Sequence, residues 1–302
     1  MDVFISLIIS IFEEGFLYGI MAIGVYITYK VLDFPDLTVD GSFPLGMCIT
    51  GLLITSGVDP WLSCVLSFLA GAAAGGVTGI LHVRFRVTNL LSGILVMTAL
   101  WSINLVITNG SAVLSFFNRP TIFNSGVGIL FIGSMAPYKV LIIAGALVIL
   151  IKILIDLYLK TKSGLLLRAS GSNPQFVTSL GRDAGKMKVL GLAIGNGLTA
   201  LSGSILGQQT GSANINSGTG MVVMALASVI IGTTLFRRLR IMKATTAVIL
   251  GSILYKACLS IAMLIGLPTN YLKLLMAGIL AAVLISNNVV TGRRKKRGNT
   301  NQ

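Results

Sequence analysis

The side chains able to do covalent chemistry are few in this sequence and poorly placed for it. The one histidine, His82, stands beside Arg84 at the end of an apolar run, where an interfacial role accounts for it. Cys48, Cys64 and Cys258 sit in apolar surroundings without paired spacing, which indicates neither disulfides nor a zinc site. Metal catalysis would need a second histidine or a thiol cluster, and no acid–base pair with a nucleophile is visible. The string GRDAGKM at 181–187 has the look of a phosphate-binding loop. It is one residue short between its glycines, carries Met where Ser or Thr should hold magnesium, and follows no strand. The sequence therefore predicts a chain that is not an enzyme, takes no cofactor or metal, and does not hydrolyse ATP by itself.

What remains is polar chemistry set inside apolar runs, where it is expensive and marks a pathway. The clearest cluster is LDFPDLTVDGSFPLG at 32–46. Pro35 and Pro44 are expected to break helices, Asp40 or Ser42 to cap a new one, and Gly41 to permit a tight backbone. Two readings stand side by side. In one, Asp36, Asp40, Gly41 and Ser42 belong to a broken helix whose free N–H groups line a cavity; in the other they form a cytoplasmic turn with its caps. A related stretch, SANINSGTG at 212–220, also precedes an apolar run, and the pair hints at an internal repeat. Further along, Thr98 and Ser102 share a helix face four residues apart, with Asn104 close by. Such side chains either contact a solute or bond back to their own helix. Asn196 and Thr199 lie in the sixth apolar run. Lys256, in the eighth, needs a counter-charge or water, yet no carboxylate is expected at its depth. Glu13 and Glu14 are expected at the outer interface.

The elements that must position these residues are membrane spans. Of 302 residues 54% are hydrophobic and only 11% charged, and the mean hydropathy of +0.90 excludes an ordinary soluble domain. The formal net charge of +14 comes from short loops and from RRKKR at 293–297. A nucleic-acid binder would gather such charge on one folded face beside aromatics, so no nucleic-acid partner is expected and the charge sets topology. The expected fold is an all-α polytopic membrane protein. About twenty apolar residues cross the hydrocarbon core, which gives nine candidate spans at 16–29, 39–55, 61–83, 90–108, 138–158, 187–208, 220–236, 244–265 and 271–286. The short seventh and the polar second leave the count at eight to nine. An amphipathic lead-in at 3–12 precedes the first, and the N-terminus MDVFISLII lacks the basic start of a secretory signal, so that segment should be retained. Glycines four apart in GAAAG, GLAIG and GSILG are expected to let helices approach closely.

Between the fifth and sixth spans lies a polar stretch, GLLLRASGSNPQFVTSLGRDAGKMK at 164–188. Asn173 can cap a helix, Pro174 suits its first position and Gly181 can end it, predicting about two turns. Lys and Arg gather on the side of this stretch when the N-terminus is placed outside, so it should face the cytoplasm together with the basic tail 291–302. Only Arg119, Lys139 and Lys273 are then left clearly outside. Residues 1–290 read as one membrane domain, with a coupling region at 164–186.

The run GSNPQFVTSLGRDAGKMKVLGLAIGNGLTALSGSILGQQTG at 171–211 resembles the coupling region and following span of ABC importer permeases of the branched-chain amino acid and ribose group. The stretch YGIMAIGVYITYKVLDFPDLTVDGSFPLG at 18–46 is similar to the subset taken to import tryptophan or tyrosine. The resemblance implies a permease homodimer in the bacterial plasma membrane, two cytoplasmic ATP-binding subunits, and an extracytoplasmic binding protein that delivers the solute. Carried onto this chain, it implies a coupling helix with Asn173, Pro174, Gln175, Phe176, Ser179, Leu180 and Gly181 at the ATPase. It also implies a translocation path bordered by Asp36, Asp40, Gly41, Ser42, Thr98, Ser102 and Asn104. An ion-coupled secondary transporter using Asp40, Glu14 or Lys256 is the alternative.

Overall fold

The computed structural model describes residues 2–126, 128, 137–236, 242–266, 268 and 271–299, with side chains from residue 4 to residue 285 of these. Arg237, Arg238 and Arg240, between the seventh and eighth expected spans and counted with the basic residues on the cytoplasmic side, lie outside them, as do residues 300–302 and the side chains of the basic tail.

Helix α1 spans Asp2–Val25 and continues as a π-helical turn, Tyr26–Val31. The chain is then non-helical until α2, Val39–Thr55, which is followed by α3, Pro60–Val83, and α4, Asn89–Ile107. Helix α5 is Lys139–Tyr158, and two short helices, α6 (Lys162–Ser172) and α7 (Pro174–Ser179), follow it. Helix α8 is Ala184–Thr210, α9 Met221–Leu235, α10 Ala244–Leu264 and α11 Leu272–Asn299. Strands β1 (Val113–Ser115) and β2 (Ser212–Asn214) pair antiparallel, with Leu114 opposite Ala213.

Among the described residues seven helical segments are long and apolar enough to cross a membrane; α2 and Leu272–Ile285 are apolar but shorter. Three expectations change. The lead-in 3–12 is not separate, because α1 runs unbroken from Asp2. The seventh span is not short, because a 3₁₀ turn at Ile215–Gly218 extends it to Ile215–Leu235. The short one is α2, which starts only after the break that contains Pro35.

Contacts between segments sort their ends onto two faces. On one, Gly171 abuts the Val31 carbonyl, Gly185 the Val83 side chain and Gly164 the Leu159 backbone, while Lys243 reaches Asp156 at 3.1 Å. On the other, the β1–β2 pair ties the end of α4 to the end of α8, and Gln208 Nε2 donates to the Pro60 carbonyl at 3.3 Å. Helices therefore alternate in direction, and the packing repeats itself: α3 lies along α8 as α10 lies along α1, and α4 meets α2 as α11 meets α9. The run α1–break–α2–α3–α4 has its counterpart in α8–break–α9–α10–α11, with opposite direction across the bundle. Both interrupted stretches noted in the sequence fall at the same place in this repeat.

Close helix approach sets the core. A Cβ on Gly46 would stand 1.8 Å from the Ala200 carbonyl oxygen, and one on Gly203 would stand 2.0 Å from that of Phe43, so α2 and α8 touch backbone to backbone. Hydroxyls finish the seams: Thr50 donates to Ser204 at 2.6 Å, Ser202 to the Leu17 carbonyl at 2.7 Å, and Ser252 to the Gly15 carbonyl at 2.7 Å. In an apolar medium such bonds replace water that is not there.

Candidate functional site

Residues 32–38 do not form an exposed turn. Phe34 and Thr38 are fully buried and Asp36 is only 5% exposed, so the break lies inside the bundle and not in a solvent-exposed turn. Asp36 Oδ1 accepts the Thr38 N–H at 2.9 Å, and its Oδ2 accepts from Asn196 Nδ2 at 2.6 Å. The other end of that amide, Asn196 Oδ1, accepts the Ser42 hydroxyl at 2.8 Å. Thr38 and Thr78 hydroxyls meet at 2.8 Å. Asn196 thus pins both sides of the α2 N-terminus to the middle of α8.

Two capping expectations are corrected here. Neither Asp40 nor Ser42 caps α2: Asp40 reaches across to the start of α9, accepting N–H groups from Gly220 at 3.1 Å and Val222 at 2.8 Å. Helix termini leave such donors free, and a carboxylate suits the positive end of the helix. Pro44 does not break α2 but lies inside it. Having no N–H, it leaves the Asp40 carbonyl unbonded within the helix. Gly218 closes on that carbonyl so tightly that a Cβ there would stand 1.9 Å from the oxygen. The N-termini of the two helices that follow the breaks therefore meet.

A cavity of about 220 Å³ opens at this meeting point, walled by Asp40, Gly41, Met97, Thr98, Trp101 and Asn104, with residues of 215–219 closing one side. Of the candidate path residues the fold gathers Asp40, Gly41, Thr98 and Asn104 here. Asp36 and Ser42 turn away to Asn196, and Ser102, exposed on α4, is not among the lining residues. The Thr98 hydroxyl bonds back to the carbonyls of Ile94 at 3.0 Å and Leu95 at 2.9 Å. Asn104 is fully buried and donates to the Gly41 carbonyl at 3.3 Å. Trp101 and Met97 carried no signal in the sequence beyond their spacing with Thr98 and Asn104 on one helix.

Two charged sites escaped the sequence reading. Lys256 does have a carboxylate partner: Glu14 forms an ion pair with it, and the ammonium stands 5.4 Å from the centre of the Tyr18 ring. Taking the first span as 16–29 put Glu14 at its end, whereas α1 begins at Asp2 and carries Glu14 halfway along. Asp156, on α5, pairs with Lys152 at 3.3 Å and Lys243 at 3.1 Å, and accepts the Thr245 hydroxyl at 2.6 Å. The spacing Lys152–Asp156, one helical turn inside an apolar run, was the available signal. His82 is held by its Nδ1 against the Val87 carbonyl at 2.9 Å and lies edge-on to Phe34. Among the described residues no group of His, Cys, Asp or Glu is arranged to hold a metal.

A second feature stands on the face that carries α6. Thr161 caps α6 by accepting the Gly164 N–H at 3.2 Å, and Leu167 is fully buried beside Gly191 of α8. Asn173 accepts the Phe176 N–H at 3.1 Å, Pro174 opens α7, and Gly181 leaves it at φ +69°. Asp183 then caps α8 through Gly185 at 2.8 Å. Between these fixed ends only Val177 of α7 is buried, while Phe176 and Leu180, four apart on one face, are 54% and 56% exposed. Gln175 and Ser179 are exposed beside them.

The family described as "Branched-chain amino acid transport system / permease component" matches residues 7–284. A "Tyrosine transport system permease protein" of Clostridioides difficile is 43% identical over 95% of this chain and 94% of its own. More distant are a ribose import permease of Haemophilus influenzae, 24% identical over 75% of this chain and 68% of its own, and an autoinducer 2 import system permease of Yersinia enterocolitica. The latter is 24% identical over 91% of this chain and 73% of its own. No solved structure matches. With its polytopic helical bundle and a family match over nearly its whole length, the chain belongs to the branched-chain amino acid transport system permease components, which are transport proteins and not enzymes.

Proposed function

We propose that this chain is the membrane-spanning subunit of an ATP-driven ABC importer, moving a small solute, an amino acid and foremost an aromatic one, that an extracytoplasmic binding protein delivers. The observation that carries the reading is α7: a capped helix with an apolar pair facing outward, fixed to α8 by a short capped connection. An exposed Phe–Leu pair on a rigid mount suits the groove of a soluble partner, and this chain has no nucleotide loop of its own. Two ATPase subunits would bind the α7 helices of a permease homodimer through Gln175, Phe176, Ser179 and Leu180, with Asn173, Pro174 and Gly181 shaping the helix. Closure of the ATPases would rock α8 and the α2–α9 junction, exchanging access between the faces.

In this reading all nine apolar helices cross the plasma membrane, residues 1–290 act as one permease domain, and 291–302 form a cytoplasmic tail. The face of α6 and α7 is cytoplasmic: Lys30, Arg84, Arg86, Lys160, Lys162, Arg168, Arg182, Lys186, Lys188 and Lys243 lie at helix ends on that side, which supports an outside N-terminus. The tyrosine permease relative supports an aromatic amino acid. Asp40, Gly41, Thr98 and Asn104 border the path, and Asp36 and Ser42 shape it from behind.

The Glu14–Lys256 pair is the observation that favours ion coupling as a second reading. Reconstitution separates the two. Uptake of labelled L-tyrosine into proteoliposomes should require ATP, the ATPase subunits and the binding protein. Uptake by the chain alone that an ionophore abolishes would reject the importer and select the secondary transporter.

A further inference from the structure

The 220 Å³ cavity at the α2–α9 junction has an uneven chemistry. Its polar walls are acceptors. Asp40 is half-buried there, and its two oxygens take N–H groups from Gly220, Met221 and Val222 at the start of α9, which still leaves acceptor capacity for one further donor. Asn104 is fully buried and its Oδ1 has no hydrogen-bond partner among the described residues, although its Nδ2 is committed to the Gly41 carbonyl. A buried acceptor without a donor costs about 1–3 kcal/mol, so such an atom needs an explanation. Among the described residues no Lys or Arg lines the cavity; Lys273 acts on Asp40 from beyond its walls. The remaining walls are apolar or aromatic, chiefly Met97, Pro44 and Trp101.

We propose that this cavity is a solute subsite for a primary ammonium group, received between the Asp40 carboxylate and Asn104 Oδ1, with the apolar body of the solute against Trp101 and Met97. The proposal rests on the reading that the chain moves an amino-acid-like solute, and it assigns the end of that solute that this site recognises. An ammonium brings three donors and one positive charge to a place with a carboxylate, an unmatched carbonyl oxygen and an aromatic face, all of which favour it. A carboxylate brought to the same walls would meet acceptors and a like charge. The cavity is smaller than the ~300–1,000 Å³ of drug-sized sites, as a single small amine requires.

Trp101 supplies the readout, since the chain has two tryptophans and Trp61→Phe leaves it alone. The full-length chain in nanodiscs, excited selectively at Trp101, is titrated with L-tyrosine, with tyramine, which keeps the ammonium and lacks the carboxylate, and with 3-(4-hydroxyphenyl)propionate, which lacks the ammonium. L-Tyrosine and tyramine should change the emission saturably, and the acid should bind at least about ten-fold more weakly. Asn104→Leu should weaken both amines about ten-fold and leave the acid unchanged. Asp40→Asn should weaken them further, and Asn104→Leu keeps the test decisive if Asp40→Asn does not fold. Equal binding of acid and amine, an amine response insensitive to Asn104→Leu, or no saturable response to either amine overturns the subsite. ATP-dependent uptake by the assembled transporter is measured in parallel. If it persists while Trp101 is silent, the subsite fails and the importer stands; if Trp101 responds while uptake ignores ATP, the importer fails and the subsite stands.

Discussion

At the α2–α8 junction Asp36, Ser42 and Asn196 satisfy one another with bonds of 2.6–2.8 Å, whereas on α7 more than half of the Phe176 and Leu180 surfaces lies open. Both regions interrupt long helices, both use Asn or Asp beside Pro, and both are fixed to α8. The difference is where the unmet chemistry points. Inside the bundle a polar group without a partner has no water to turn to, so the junction closes on itself and becomes a fixed point. On α7 the polar groups are satisfied locally and it is the apolar surface that lacks a partner, which suits a surface that docks and releases. Asp40, partly buried, and Asn104, fully buried, stand between these cases, with acceptors left over beside a cavity.

Removing one member of the closed junction should have the largest effect. Asn196→Leu leaves the buried Asp36 carboxyl with Thr38 alone and the Ser42 hydroxyl without its acceptor, and each buried polar group stripped of a partner costs about 1–3 kcal/mol. The variant should lose most folded protein in size-exclusion profiles taken after mild heating; a profile like that of the parent would break the contrast. The converse substitution, Phe176→Ser with Leu180→Ser, should leave thermal stability within about 0.5 kcal/mol because both side chains are exposed. It should nevertheless weaken association with the ATPase subunits more than ten-fold, as loss of a central apolar anchor does. Smaller again is the Glu14–Lys256 pair, which is neither closed off nor open. Glu14→Gln or Lys256→Met alone should cost about 1–2 kcal/mol, between exposed and buried pairs, and the double variant should recover part of it in a thermal-stability cycle. Thr98→Val should move stability by less than about 0.5 kcal/mol, since that hydroxyl bonds only to its own helix turn. A large loss would mean that the hydroxyl faces a partner across the cavity.

Local signals in the sequence were legible where the physics is local. The helix at 174–179 follows from Asn173, Pro174 and Gly181, each of which acts within four residues of itself, and the apolar runs announce the spans. The break at 32–38 was legible as a break, but not its destination. That Asp40 caps α9 and not α2, and that Gly218 packs over the carbonyl Pro44 leaves free, depends on a segment about 180 residues away. Lys256 seemed stranded because the depth of Glu14 was read from hydropathy, while the true register comes from Gly15 packing on the Ile253 backbone. Asn196 was visible as a polar residue in a span. Its three partners lie on α8 and on both sides of the α2 start, and no periodicity encodes that convergence.

The central claim, that a separate cytoplasmic polypeptide grips α7, is tested most directly by a thiol at its exposed tip. Phe176→Cys, made with Cys258 replaced and the buried Cys48 and Cys64 retained, is probed with a membrane-impermeant maleimide in vesicles of both orientations. The account predicts labelling only from the cytoplasmic side, and protection when the ATPase subunits are bound. Labelling from outside, or cytoplasmic labelling that bound ATPase subunits leave untouched, would contradict it.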